Sequence, residues 1–175
     1  SKFSIPIIRV KITMTETIKE IFSNAINPMY KGKKMTTRKV LNLGKKKYFW
    51  NNDEVKLIDI PYSLLQTSIV DCSYDCGLVN IYEAQTSISS HTDTPKGMNI
   101  KEGVYSISFG ITEDLKICRA GTILGSFWIE KEKHEIKSGC PIIFDGYNKK
   151  HRASTFKSKI FKYRLNITLR KLDLQ

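Results

Sequence analysis

Apolar and polar positions change rhythm several times along this chain, and each change predicts an element. Residues 1–12 alternate loosely, with Phe3, Ile5, Ile7, Val10 and Ile12 apolar, which predicts a strand. Thr15 to Asn24 reads as a helix. Ile18, Ile21 and Phe22 share one face, Glu16, Lys19 and Glu20 lie elsewhere, and Thr15 can cap the first turn. Asn27-Pro28 ends it, because the residue before a proline is pushed out of the helical region. Pro61 opens a second short helix, to about residue 69, with Leu64, Leu65 and Ile69 as its apolar face. The period then shortens to two. Strands are predicted at 77–82, 87–90, 104–110, 115–118, 122–130, 141–144 and 160–170. Short strands between glycines and polar turns predict a sandwich, a barrel or a jelly roll.

Two of these strand regions carry candidate chemistry. In the last, Arg164, Asn166, Thr168 and Arg170 fall on one face and Leu165, Ile167 and Leu169 on the other. The polar face lies either in water or in a polar cavity. In a cavity each arginine can grip a carboxylate through two nitrogens, and a dicarboxylate would use both. The second region is His91-Thr92-Asp93. Two residues apart on an extended backbone, imidazole and carboxylate project to the same side. That is two thirds of the 2-His-1-carboxylate site of non-haem Fe(II) oxygenases. The third ligand would be His134 or His151, the other two histidines of the chain. The plainer alternative is a loop histidine beside a turn aspartate. His134 sits in a Glu-Lys run that reads as a solvated turn.

With 175 residues and 41% hydrophobic content, the chain is long and apolar enough for one globular domain with a real core. No apolar run reaches bilayer length and no signal peptide opens it, so the expectation is no membrane association and a cytoplasmic location. Ser1 in place of Met suggests a domain excised from something longer. Cys72, Cys76, Cys118 and Cys140 lack zinc or redox spacing and read as free or structural thiols. Asn166-Ile167-Thr168 matches a glycosylation sequon by chance. Charge changes the picture more. Twenty-nine Lys+Arg against 17 Asp+Glu give a net +12, which favours a polyanionic partner or serves only solubility. Lys31, Lys33, Lys34, Arg38, Lys39, Lys45, Lys46 and Lys47 follow one another with no acid between Glu20 and Asp53. Tyr30, Tyr48, Phe49 and Trp50 frame them. Cations for phosphates and π-faces for bases are what single-strand binding uses, although a charged face beside a core strand looks the same.

Taken together, the motifs resemble the AlkB family of Fe(II)/2-oxoglutarate-dependent dioxygenases. Asn80-Ile81-Tyr82 stands eleven residues before His91-Thr92-Asp93; His151 follows sixty residues later, and Arg164-x-Asn166-x-Thr168-x-Arg170 begins thirteen after that. A weaker match runs through Arg38, Gly44, Tyr48, Ile60-Pro61 and Leu64, so the resemblance spans about 38–171. It implies a mainly β fold with flanking helices, a double-stranded β-helix or jelly roll. Residues 1–70 would be N-terminal helices and a nucleotide-recognition lid, and 71–175 the catalytic core of a single domain. His91, Asp93 and His151 would bind Fe(II). Asn80, Tyr82, Arg164, Asn166, Thr168 and Arg170 would bind 2-oxoglutarate, with Arg164 on the distal carboxylate and Arg170 near the metal. The implied activity is oxidative removal of N-methyl groups from nucleobases with O2, releasing succinate, CO2 and formaldehyde. The implied partner is methylated single-stranded RNA in preference to DNA, held by a monomer through Lys31, Lys33, Lys34, Arg38, Lys45, Lys46, Lys47, Tyr48 and Trp50. One departure is Thr94-Pro95-Lys96, where members that repair 1-methyladenine and 3-methylcytosine carry further acids. The layout is at least as similar to the branch acting on N6-methyladenine. Alternatives are a protein or small-molecule hydroxylase on the same scaffold, or a non-catalytic RNA-binding module.

Overall fold

The structure, a computed structural model, describes residues 4–47, 54–65, 74–93 and 97–173, with side chains from Met14 onward. One helix, α1 (Ser4–Asn24), opens the described chain. Twelve strands follow: β1 (Met29–Tyr30), β2 (Lys33–Lys34), β3 (Arg38–Gly44), β4 (Leu57–Ile58), β5 (Cys76–Glu83), β6 (Ser87–His91), β7 (Val104–Ile111), β8 (Ile123–Ile129), β9 (Glu132–Lys137), β10 (Ile142–Phe144), β11 (His151–Thr155) and β12 (Tyr163–Arg170). Tyr62–Leu64 forms a single 3-10 turn between β4 and β5.

The strands form a six-stranded sheet of order β10-β7-β12-β5-β3-β4, a four-stranded sheet of order β6-β11-β8-β9, and the β1-β2 hairpin. From β5 to β12 the chain passes from one sheet to the other and back, returning to lie beside strands laid down much earlier. This is the double-stranded β-helix, or jelly roll. Its pairing is long-range: β12 lies between β5 and β7, with Asn166 opposite both Asn80 and Ser108.

The large sheet has two unlike faces because its strands alternate. Ile107, Phe109, Val79, Ile81, Leu41, Leu43, Leu165, Ile167 and Leu169 turn to one side, where Ile18 and Ile21 of α1 and Leu64 and Leu65 cover them. Each fully buried Leu or Ile contributes roughly 1.5–3 kcal/mol, so this layer anchors the fold. Ser106, Ser108, Asn80, Tyr82, Arg164, Asn166, Thr168 and Arg170 turn to the other side and line a cavity.

Several sequence expectations need correction. Where a strand is expected at 1–12, the described residues are helix from Ser4 on, continuous with the segment expected from Thr15, so Thr15 lies inside the helix and does not start it. Ile5, Ile8 and Ile12 satisfy helical spacing as well as loose alternation, and the β-branched residues tilted the reading. The helix after Pro61 is only the 3-10 turn within the described residues, and Ile69 lies outside them. Residues 115–118 form a turn with one bridge, Ile111 to Ile117, because Leu115 adopts φ 62. The Glu-Lys run around His134 is not a solvated turn but strand β9, edge partner of β8. Finally, the stretch 38–44 expected in a lid is β3, a strand of the large sheet beside β5. Among the described residues no helix is long and apolar enough to cross a membrane.

Cys76, Cys118 and Cys140 are free thiols, as expected; Cys72 lies outside the described residues. Burial, then the Asp75 carboxylate, push the Cys76 thiol up to about 11. A group whose pKa rises on folding stabilises the fold below its unfolded value and loses that contribution above it. The Cys76 contribution is therefore present below about pH 9 and declines as pH climbs toward about 11. At pH 8, iodoacetamide is expected to label exposed Cys140 and spare Cys76 in the native protein. Peptide mass mapping checks this; equal labelling of both would contradict the burial.

Candidate metal centre

His91 ends β6 and His151 begins β11, and the two are direct partners in the β6–β11 ladder. Pairing sets their rings 4.4 Å apart, centroid to centroid. Asp93 lies two residues beyond His91, and its backbone N–H donates to the Gly146 carbonyl at 2.8 Å. That bond anchors the backbone from which the carboxylate reaches both imidazoles. A Cβ on Gly146 would lie 3.0 Å from Asp93 Oδ2, closer than side chains normally tolerate. Glycine is therefore the residue that lets the turn approach Asp93.

The His91 Nδ1 lies 2.9 Å from the Ser89 carbonyl oxygen, and the His151 Nδ1 lies 3.0 Å from that of Lys149. A carbonyl only accepts, so each Nδ1 carries the proton and donates it, which leaves the lone pair on Nε2. Both Nε2 atoms face one carboxylate oxygen: Asp93 Oδ1 is 3.6 Å from His91 and 3.2 Å from His151. Lone pairs converging on a carboxylate over such distances call for a cation between them. The three ligand atoms lie within 4.8 Å of one another. Two imidazoles and one carboxylate fit Fe(II) with open positions to spare.

The surroundings stiffen this set. Phe144 and Phe127 contact the His151 ring, with centroids 4.9 and 5.9 Å away. The Arg170 Nη2 donates to Asp93 Oδ2 at 2.9 Å. Burial pushes the Asp93 carboxyl up, but the Arg170 guanidinium bonded to it holds it below the usual carboxylate range. Asp93 is thus ionised and ready to ligate.

The polar face of β12 is inside the protein: Arg164 is 3%, Asn166 8% and Arg170 5% exposed. This decides between the two readings of the alternating strand. The Arg164 Nε donates to the Thr155 hydroxyl at 2.8 Å and its Nη1 to the Ser108 hydroxyl at 3.2 Å. Its guanidinium carbon lies 4.6 Å from the centre of the Tyr82 ring. Burial pulls the Arg164 pKa down and pushes that of Tyr82 up, yet a guanidinium keeps its proton in a protein. Among the described residues no carboxylate is within ion-pairing distance of Arg164. A buried cation without an anion is expensive, so this part of the cavity wall suits an anionic ligand.

Asn166 and Thr168 serve each other. The Asn166 Nδ2 donates to the hydroxyls of Ser106 and Ser108 and to the Ile107 carbonyl, while Thr168 donates to Asn166 Oδ1 at 2.6 Å. These bonds fix the wall between the two arginines. The Asn80 Oδ1, buried in the same wall, has no hydrogen-bond partner among the described residues, which leaves its amide available to a ligand.

The cavity, about 960 Å³, thus gathers His91, Asp93, His151, Asn80, Tyr82, Arg164, Asn166, Thr168 and Arg170. Arg38, Lys46 and Lys47 of the basic segment also line it. Lys31, Lys33, Lys34 and Lys45 are exposed outside the lining. Tyr48 and Trp50 fall outside the described residues. Tyr30 lines the mouth. It flanks the two-residue turn of the β1-β2 hairpin, where Lys31 and Gly32 take φ 49 and 77, as a tight hairpin requires. Sequence reading missed Ser106, Ser108 and Thr155 as supports of the polar wall. The alternation Ser106, Ser108, Gly110 against Tyr105, Ile107, Phe109 carried that signal. Phe127 and Phe144 carried none, because apolar strand residues do not announce which wall they form.

No family model and no curated protein matches the chain. Among solved structures it is similar to a prolyl-4-hydroxylase from Pseudomonas putida, at 10% identity over 93% of this chain and 86% of that one, with a TM-score of 0.49. It is also similar to a predicted oxalate decarboxylase from Thermotoga maritima, at 13% identity over 62% and 76%, TM-score 0.35. A conserved protein of unknown function from Streptococcus pyogenes shares 11% identity over 57% of this chain and 66% of its own, just under two thirds, with a TM-score of 0.36. At these identities the likeness extends to no activity. The sheet order makes the fold a jelly roll, and the side chains make the site a His-Asp-His cluster.

Proposed function

We propose that this protein is an Fe(II)/2-oxoglutarate-dependent dioxygenase of AlkB-like type that removes N-methyl groups from nucleobases, in RNA in preference to DNA. The observation that carries the reading is the convergence of His91, Asp93 and His151 in one cavity with a buried, anion-seeking Arg164. Iron held there would supply the oxidation: one atom of O2 enters succinate as 2-oxoglutarate loses CO2, the other enters a methyl C–H, and the N-hydroxymethyl product breaks down to formaldehyde and N–H.

The chain's own residues supply position and environment. Ser89 and Lys149 carbonyls aim the two Nε2 atoms. Arg170 keeps Asp93 ionised and orients its second oxygen. Arg164, held by Thr155 and Ser108, offers a fixed cation in the cavity wall for the distal carboxylate of the cosubstrate. Tyr82 packs under that cation and limits water there. Support for a polyanionic substrate is local: Tyr30, Arg38, Lys46 and Lys47 border the same cavity.

The test is turnover of the iron-loaded protein with a panel of methylated oligonucleotides, read as succinate and formaldehyde. Absence of both products with every member would defeat the reading. Binding gives a second check. RNA affinity should fall with salt at a slope of roughly −0.7 per phosphate contact. Replacing Lys45, Lys46 and Lys47 together by Gln should flatten that slope and weaken methylated and unmethylated RNA alike. An unchanged slope in a folded triple variant would remove this segment from the interface.

A further inference from the structure

Two exposed apolar side chains share one short loop with two lysines. The loop, Phe156-Lys157-Ser158-Lys159-Ile160, lies between β11 and β12. Phe156 is 44% exposed and Ile160 65%, and Lys157 and Lys159 between them are exposed too. The residues on either side, Thr155 and Phe161, are buried. Phe161 packs with Cys118, Leu124 and Ala153. The Phe156 N–H donates to the Leu124 carbonyl at 2.9 Å, and the Ile160 N–H donates to the Ser158 hydroxyl at 2.9 Å. The loop is thus anchored at both ends while its apolar side chains stay in water.

Its charge is uncompensated. On the turn after β7, Glu113 faces Lys162 and Asp114 faces Lys116, each at 3.4 Å. Lys157 and Lys159 have no carboxylate within ion-pairing distance among the described residues. Lysines interleaved with apolar tips match an anionic lipid surface: the ammonium groups stay at headgroup level while the apolar groups reach the acyl boundary. Other occupants fit less well. A nucleic-acid strand offers phosphates to the lysines but stacks on π-faces, and Ile160, the more exposed of the pair, has none. A stable protein interface takes roughly 20–30 residues a side, and a second copy of a chain with net charge +12 is repelled. No described helix could cross a bilayer, but docking at its surface needs no crossing segment. His151 starts β11 and the loop follows its other end, roughly 13 Å away along the strand, so the loop stands apart from the metal ligands.

We infer that this loop docks the protein on an anionic membrane surface, with Phe156 and Ile160 entering the interface and Lys157 and Lys159 among the headgroups. The test is co-sedimentation of the full chain with vesicles of phosphatidylcholine alone, and of phosphatidylcholine and phosphatidylserine at three to one. Binding should favour the mixed vesicles. A strongly basic chain is drawn to them by any face, so the deciding variant leaves charge alone: Phe156→Ser with Ile160→Ser should weaken binding to mixed vesicles by roughly tenfold or more. Lys157→Gln with Lys159→Gln should weaken it by roughly fivefold per lysine. Ile160→Trp gives a readout that does not depend on the serine variant folding. Its emission should shift to shorter wavelength on adding mixed vesicles, beyond any change in the wild type. A folded serine variant that binds as the wild type does, or an Ile160→Trp emission that responds no more than the wild type, overturns the inference. So does equal binding to both kinds of vesicle. Loss of single-stranded RNA binding in the serine variant, with vesicle binding kept, assigns the loop to nucleic acid and overturns it; loss of a self-associated form with vesicle binding kept assigns it to a second copy and does the same.

Discussion

His151→Ala is expected to abolish Fe(II)-dependent turnover, while His134→Ala leaves it close to wild type. The two histidines differ in everything that ligation needs. His151 is buried, faces Asp93, and has its Nδ1 fixed on the Lys149 carbonyl. His134 lies on edge strand β9, and its Nε2 faces Glu132 at 3.4 Å. Loss of an outer-shell partner of a metal ligand typically costs 10–100-fold in affinity or activity, and loss of the ligand itself should exceed about a hundredfold. Metal content of the purified variants and succinate production are the readouts. His151 is packed against Phe144, so the melting temperature has to be checked alongside. Retained iron and turnover in His151→Ala, with both lost in His134→Ala, would reassign the third ligand.

How much of this could be read from the sequence depends on where the information sits. Strict alternation in 164–170 is local, and residue order alone places Arg164 and Arg170 on one face. Only pairing could show that this face is enclosed, because Ser108 and Asn80, the neighbours of Asn166, lie far away in the chain. The same holds for the metal set. His91 and Asp93 share a side by strand geometry alone, whereas His151 joins them through the β6–β11 ladder. Charged runs misled in a consistent way. The core residues of β3, Val40, Leu41 and Leu43, are hidden between lysines, and in β9 only Ile136 is buried among Glu and Lys. An edge strand or a half-buried one needs few apolar residues, so its hydrophobic signal is weak. The opening stretch failed for the opposite reason: its apolar spacing satisfied two periods at once, and from Ser4 the chain is helix.

Arg164→Met should separate ligand binding from folding. In the folded protein this guanidinium is buried, donates to Thr155 and Ser108, and covers the Tyr82 ring. No carboxylate among the described residues balances it, so the unliganded protein carries the cost of a desolvated charge. Removing that charge loses two hydrogen bonds but also relieves the cost, and methionine fills similar volume. The melting temperature should therefore stay level or rise. Binding of 2-oxoglutarate should move the other way. A buried charged hydrogen-bond partner is worth about 2–5 kcal/mol to its ligand, so affinity should fall on the order of a hundredfold. Arg170→Lys makes the contrast. Lysine keeps the charge but loses the fork, and its partner Asp93 is a metal ligand, so that variant should lose iron affinity together with 2-oxoglutarate affinity. Anaerobic calorimetry on iron-loaded protein measures each quantity separately. If Arg164→Met binds 2-oxoglutarate as tightly as the wild type, the cosubstrate does not use this part of the cavity wall, and the assignment of the distal carboxylate fails.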